Sequence, residues 1–137
     1  MGDALDLTRI HFLDRIPYPA LRSLFRISSA HVYLTYPFVL SWSTLEAMAC
    51  ESLLIASATP PVKEVVTHGE NGILVDFFDK EALVGAMDAA LSDPDRFRPL
   101  RRTARKLVTE RFALENCLKQ QADLLRSLAM GNFPNPS

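Results

Sequence analysis

The sequence predicts an α/β fold: a parallel sheet of short strands with helices packed on its faces. Three observations lead there. Leu53 to Ser57 runs apolar with no alternation, the pattern of a strand buried on both sides. Strand-like and helix-like segments alternate along the chain, as βαβ units require. The composition is that of a soluble globular domain, with 48 % hydrophobic and 23 % charged residues.

The elements follow in order. Arg9 to Leu13 reads as a first strand. Pro17 and Pro19 then suit the first turn of a helix whose body, Ala20 to Ile27, sets Leu21, Leu24 and Phe25 opposite Arg22 and Arg26. His31 to Thr35 reads as a second strand, ended by Tyr36 and Pro37. A short helix covers Trp42 to Cys50, and Leu53 to Ser57 is the third strand. Thr59-Pro60-Pro61 is a loop, with a helical turn over Val62 to Val66. Asn71-Gly72 marks a turn before a fourth strand, Ile73 to Val75. Three helices close the chain, over Lys80 to Leu91, Asp95 to Arg111 and Leu114 to Leu128. The segment 129–137 is expected to be a flexible tail after a single domain spanning 1–128.

Charge narrows the function classes. Lys plus Arg number 15 and Asp plus Glu 16, a net charge of -1, so nothing pulls the whole chain toward nucleic acid or an anionic membrane. His31 to Cys50 has the length of a membrane span, but Pro37 and the cluster Ser41, Ser43, Thr44 argue for a soluble strand–turn–helix. Cys50 and Cys117 form neither a metal-ligand pair nor a disulfide framework, and His11, His31 and His68 are scattered, so no metal site is expected. The arginines between Arg96 and Lys106 fit the solvated face of a helix.

In open α/β sheets, ligands sit beyond the carboxyl ends of the strands, here Thr35 to Thr44 and Ser57 to Glu64. A helix beginning at Ser41 to Ser43 offers unpaired N–H groups and the positive end of its dipole, a seat for phosphate. Glu46, one turn in, can accept two hydroxyl hydrogen bonds from a ribose. It also stands three residues after Ser43, the spacing of a capping box, so a purely structural role remains open. Trp42 likewise fits either packing or the site.

The run Ser43-Thr44-Leu45-Glu46-Ala47-Met48-Ala49-Cys50 resembles the strongest motif of the family 4 retaining glycosyltransferases. Pro61-Val62-Lys63-Glu64-Val65-Val66 and Gly69-Glu70-Asn71-Gly72-Ile73-Leu74-Val75 are similar to two further motifs of that family, in the same order and spacing. The resemblance covers roughly Arg9 to Leu128. It implies a Rossmann-like half-domain, the incomplete C-terminal part of a GT-B enzyme. The expected donor is a nucleotide-diphosphate sugar, its hexose passing to a glycan or lipid-linked acceptor with no metal or other cofactor.

By position, the resemblance implies that Ser41, Trp42 and Ser43 hold the diphosphate and that Glu46 binds the ribose. Phe38, Pro60, Pro61 and Glu64 would shape the donor pocket. No catalytic residue is assigned.

The sequence departs from the family at three points. Phe38 stands where the family has a glutamate for the donor sugar. Glu51 stands where a glycine commonly follows the helix. The acceptor domain and the first strands of the donor domain fall outside these 137 residues. The resemblance therefore implies an inactive isolated chain, a missing N-terminal partner domain, and a cytoplasmic setting, at the inner membrane surface through a longer protein. A strand left without its inner neighbour implies a homodimer or larger assembly, unless Arg9 to Leu13 pairs in its place. The alternative function is a non-catalytic α/β interaction module with a vestigial pocket.

Overall fold

The computed structural model describes residues 6–36 and 38–131. Pro37 and the tail from residue 132 onward lie outside the described residues, and so do those expectations that rest on them.

Three strands form one parallel sheet in the order β1 (Ala30–Tyr33), β2 (Leu53–Ser57), β3 (Ile73–Val75). Ala30 pairs with Leu53, and Ile55 with Ile73. Helix α1 (Tyr18–Ile27) precedes the sheet, and α2 (Trp42–Ala49) links β1 to β2. The short α3 (Pro60–Lys63) lies between β2 and β3, and α4 (Lys80–Ser92), α5 (Arg98–Arg111) and α6 (Leu114–Ala129) follow.

β2 explains the layering. All five of its residues are buried, and successive side chains point to opposite faces. Leu54 and Ala56 join Met48 of α2, Val62 of α3 and Ala104 and Val108 of α5 in one core. Leu53 and Ile55 join Val75, Ala90 of α4 and Phe97 in the other. The unbroken apolar run is thus the signature of a strand with helices on both sides.

Besides one-residue shifts at helix ends, four elements differ from the sequence reading. Arg9 to Leu13 is not a strand: Leu7–Arg9 is a 3₁₀ turn, and Ile10 is extended but unpaired. A strand exists only by pairing, and Arg9 to Leu13 finds no partner strand among the described residues. With four strands expected and three formed, β1 pairs with β2 alone among the described residues. The second expected strand starts one residue earlier and ends at Tyr33. The helical turn expected at Val62 to Val66 begins at Pro60, since proline suits a first turn. The helix expected from Asp95 is split into a 3₁₀ turn, Pro94–Phe97, and α5, with Pro99 seated in the first turn of α5.

α2 ends in a closed Schellman motif. The Ser52 N–H donates to Ala47 O at 3.0 Å and the Glu51 N–H to Met48 O at 3.1 Å. Glu51 takes the left-handed conformation this requires, at φ 59°. Its carboxylate stands 3.5 Å from Arg105, both side chains being about half exposed, a pairing worth little. Glu51→Gly should therefore stabilise the chain by about 0.5–1 kcal/mol, left-handed strain relieved less glycine's extra unfolded freedom. That corresponds to a Tm rise of roughly 2–5 °C in thermal unfolding; a fall in Tm would show that the Arg105 contact outweighs the strain.

Candidate functional site

The carboxyl ends of β1 and β2 are tied together by one side chain. Ser57 Oγ accepts the Thr35 N–H at 3.0 Å and donates to Thr35 O at 2.9 Å. The Tyr33 hydroxyl, from the last residue of β1, accepts the Ser41 N–H at 3.0 Å and donates to Val39 O at 3.2 Å. The strand end thereby fixes the loop that delivers the chain to α2.

Ser41 is the N-cap of α2. Its hydroxyl accepts the Ser43 N–H at 3.3 Å and lies 2.9 Å from Ser43 Oγ, and Thr44 N donates to Ser41 O at 3.1 Å. The capping box open in the sequence is therefore not formed: the Ser43 amide is taken by Ser41, two positions earlier than that spacing implied. The N–H of Trp42, the first residue of the helix, makes no hydrogen bond among the described residues, and the Trp42 side chain is 81 % exposed. A free amide at the positive end of a helix suits an anion.

Glu46 lies one turn further on, half-buried. Its carboxylate acts on the Tyr18 phenol at the start of α1. Hydrogen bonding of the phenol O–H toward the carboxylate, reinforced by the carboxylate's charge, raises the phenol pKa above its ordinary value. Phe38, Pro60 and Pro61 meet in a mostly apolar cavity of about 450 Å³ that Tyr36, Val39 and Thr59 complete. Thr59 Oγ1 is buried there without a hydrogen-bond partner among the described residues. Tyr36 also packs against Phe77 and Phe78, with ring centroids 5.7 and 5.6 Å away.

The structure thus brings Ser41, Trp42 and Ser43 to one helix end and Phe38, Pro60 and Pro61 to one cavity. Glu64 does not line that cavity; its side chain is exposed and its carbonyl accepts from Arg111 at 3.3 Å. Tyr18, Tyr33 and Ser57 were missed by the sequence reading. Each acts across a tertiary contact that no local spacing signals. Among the described residues, no cluster of His, Cys, Asp or Glu could hold a metal ion, and no helix is long and apolar enough to cross a membrane.

The family model described as glycosyl transferases group 1 matches residues 3–107. The alpha-maltose-1-phosphate synthase of Mycolicibacterium smegmatis is 29 % identical over 122 residues, 85 % of this chain and 32 % of that protein. The D-inositol 3-phosphate glycosyltransferase of Corynebacterium urealyticum is 27 % identical over 129 residues, 93 % of this chain and 30 % of that protein. Among solved structures, a sucrose-phosphate synthase from Thermosynechococcus elongatus superposes with a TM-score of 0.80 at 31 % identity, over 90 % of this chain and 31 % of that one. Anabaena HepE in complex with UDP shares the fold, with a TM-score of 0.69 at 22 % identity, over 76 % of this chain and 29 % of that one. The chain spans about a third of the length of the curated relatives it matches.

Proposed function

The chain belongs to the glycosyl transferases group 1 family, and we propose that it binds the nucleotide-diphosphate part of a sugar donor used by a retaining hexosyltransferase. The observation that carries this reading is the amino end of α2, where the free Trp42 N–H and the half-buried Glu46 stand one helical turn apart. The diphosphate takes the helix end, and the ribose hydroxyls donate to Glu46. Negative charge building on the leaving diphosphate is then met by positioned N–H dipoles, which calls for no metal. The sugar points toward the cavity of Phe38, Pro60 and Pro61. Transfer to a glycan or lipid-linked acceptor needs a further domain, so this chain alone is inactive, and its setting is cytoplasmic.

Calorimetric titration with UDP and GDP tests the reading; binding of neither would defeat it. The Trp42 contribution is its amide, not its indole. Trp42→Phe should therefore leave affinity within about threefold, because the helix terminus survives. A loss beyond tenfold would show that the indole itself contacts the nucleotide. Phe38 supports a second reading, a non-catalytic interaction module, since phenylalanine cannot accept a hydroxyl hydrogen bond where the family uses a carboxylate. Nucleotide binding without sugar discrimination would favour it.

We further propose self-association through β1. Its outer edge has no partner among the described residues, and Val32, Leu34 and the neighbouring Leu91 are exposed. Unpaired backbone on an apolar strand invites another chain. Light scattering at micromolar concentration should report a dimer or larger species; a monodisperse monomer would refute it.

A further inference from the structure

We propose that a cavity at the amino ends of β1 and β2, on the opposite end of the sheet from Trp42, binds a phosphate group. The cavity measures about 490 Å³, within the range of small-molecule sites. Arg26 of α1 and Arg98, Arg101, Arg102 and Arg105 of α5 converge on it, with Glu51 as the one carboxylate in its wall. It lies at the far end of α2 from the proposed nucleotide seat, about 12 Å away for a helix of eight residues.

Structural needs account for only part of this charge. Arg98 pairs with Asp95, and Arg105 with Glu51. Arg26 and Arg102 make no ion pair or hydrogen bond among the described residues. The carboxyl end of α2 supplies roughly half a negative charge, and Glu51 one more, against five guanidinium groups. A helix end that merely attracted cations would not gather such an excess.

Arg101 carries the second observation. Its Nη2 donates to Ser29 O at 2.8 Å, which holds the planar fork in place. Its Nε is buried and has no partner among the described residues. A buried N–H left unpaired is costly, so a turn of the guanidinium that brings it to an anion oxygen in the cavity would be favoured. Guanidinium forks fixed in this way match the tetrahedral oxygens of phosphate with paired, charge-assisted hydrogen bonds. The phosphate can belong to a soluble phosphate or diphosphate, or to a lipid headgroup.

The test uses the 137-residue chain with two probes. Inorganic pyrophosphate is titrated at constant ionic strength, read by calorimetry and thermal shift. Sedimentation with vesicles of equal parts phosphatidylglycerol and phosphatidylcholine is compared with phosphatidylcholine alone. Saturable pyrophosphate binding identifies a soluble source, and binding to the anionic vesicles alone identifies a headgroup. In either arm, Arg26→Ala with Arg102→Ala should weaken binding about tenfold, and Glu51→Gln, which removes the one opposing charge in the wall, should strengthen it. Arg26 and Arg102 are exposed and unpaired, so the double variant should fold, as circular dichroism would check; Arg102→Gln alone gives the same readout should it not. Binding of neither probe overturns the proposal. So does binding that the double variant retains in full, which would belong to the amino end of α2.

Discussion

Asn71→Ala is expected to destabilise the chain by roughly 2–4 kcal/mol. Asn71 is 3 % exposed and works in both directions. Its Nδ2 donates to Val65 O at 2.9 Å and its Oδ1 accepts the Thr67 N–H at 2.8 Å. Alanine leaves both backbone groups unsatisfied, at about 1–3 kcal/mol for a buried one and less for the more exposed Thr67 amide. A void is added where the side chain stood. The next residue allows no compensating shift: a Cβ on Gly72 would lie 2.8 Å from Val66 Cγ1 and 3.3 Å from Leu54 O, so the turn is already packed against β2. Against a total stability of about 5–15 kcal/mol, the loss would be conspicuous. Urea unfolding should show a lower midpoint with an unchanged slope. A loss below about 1 kcal/mol would mean that water replaces the amide.

Glu46→Ala is expected to weaken nucleoside diphosphate binding by about 1–3 kcal/mol, the value of a hydrogen bond to a charged group. The structure makes this a clean experiment. Since Ser41 caps α2 and takes the Ser43 amide, Glu46 is not needed to start the helix. Stability should change little while affinity falls. Calorimetry with UDP and thermal unfolding, run on the same variant, separate the two. A drop in Tm with affinity intact would assign Glu46 to holding α1 through Tyr18 rather than to the ligand.

Most of the fold was legible because its signals are local. β2 was read to the residue from an apolar run, and β3 from the turn at Asn71-Gly72. Pro17 and Pro19 placed the start of α1. Arg9 to Leu13 failed because propensity cannot supply a partner strand. The site was legible by the same division. The helix end at Ser41 to Ser43 follows from local spacing, and so does the position of Glu46. What selects the amide that stays free does not, since it depends on Tyr33 and Ser57 reaching over from the strand ends. The sequence left the cap open between Ser41 and a Ser43–Glu46 capping box, because Ser41 and Ser43 are chemically equivalent candidates and only the loop anchored by Tyr33 distinguishes them. The role of Asn71 was hidden for a similar reason: a turn signal says where the chain bends, not which buried atoms its side chain serves.

The sheet's register carries a kinetic consequence. Ala30 meets Leu53, and Ile55 meets Ile73, so each pairing closes a span of about twenty residues, and the entropy of closure grows only slowly with such lengths. Both closures share β2. Once that strand has docked α2, β1 and β3 can add on either side in either sequence, before α5 arrives to complete the core on one face. Such a segment can acquire its native pairing while it is still emerging from the ribosome.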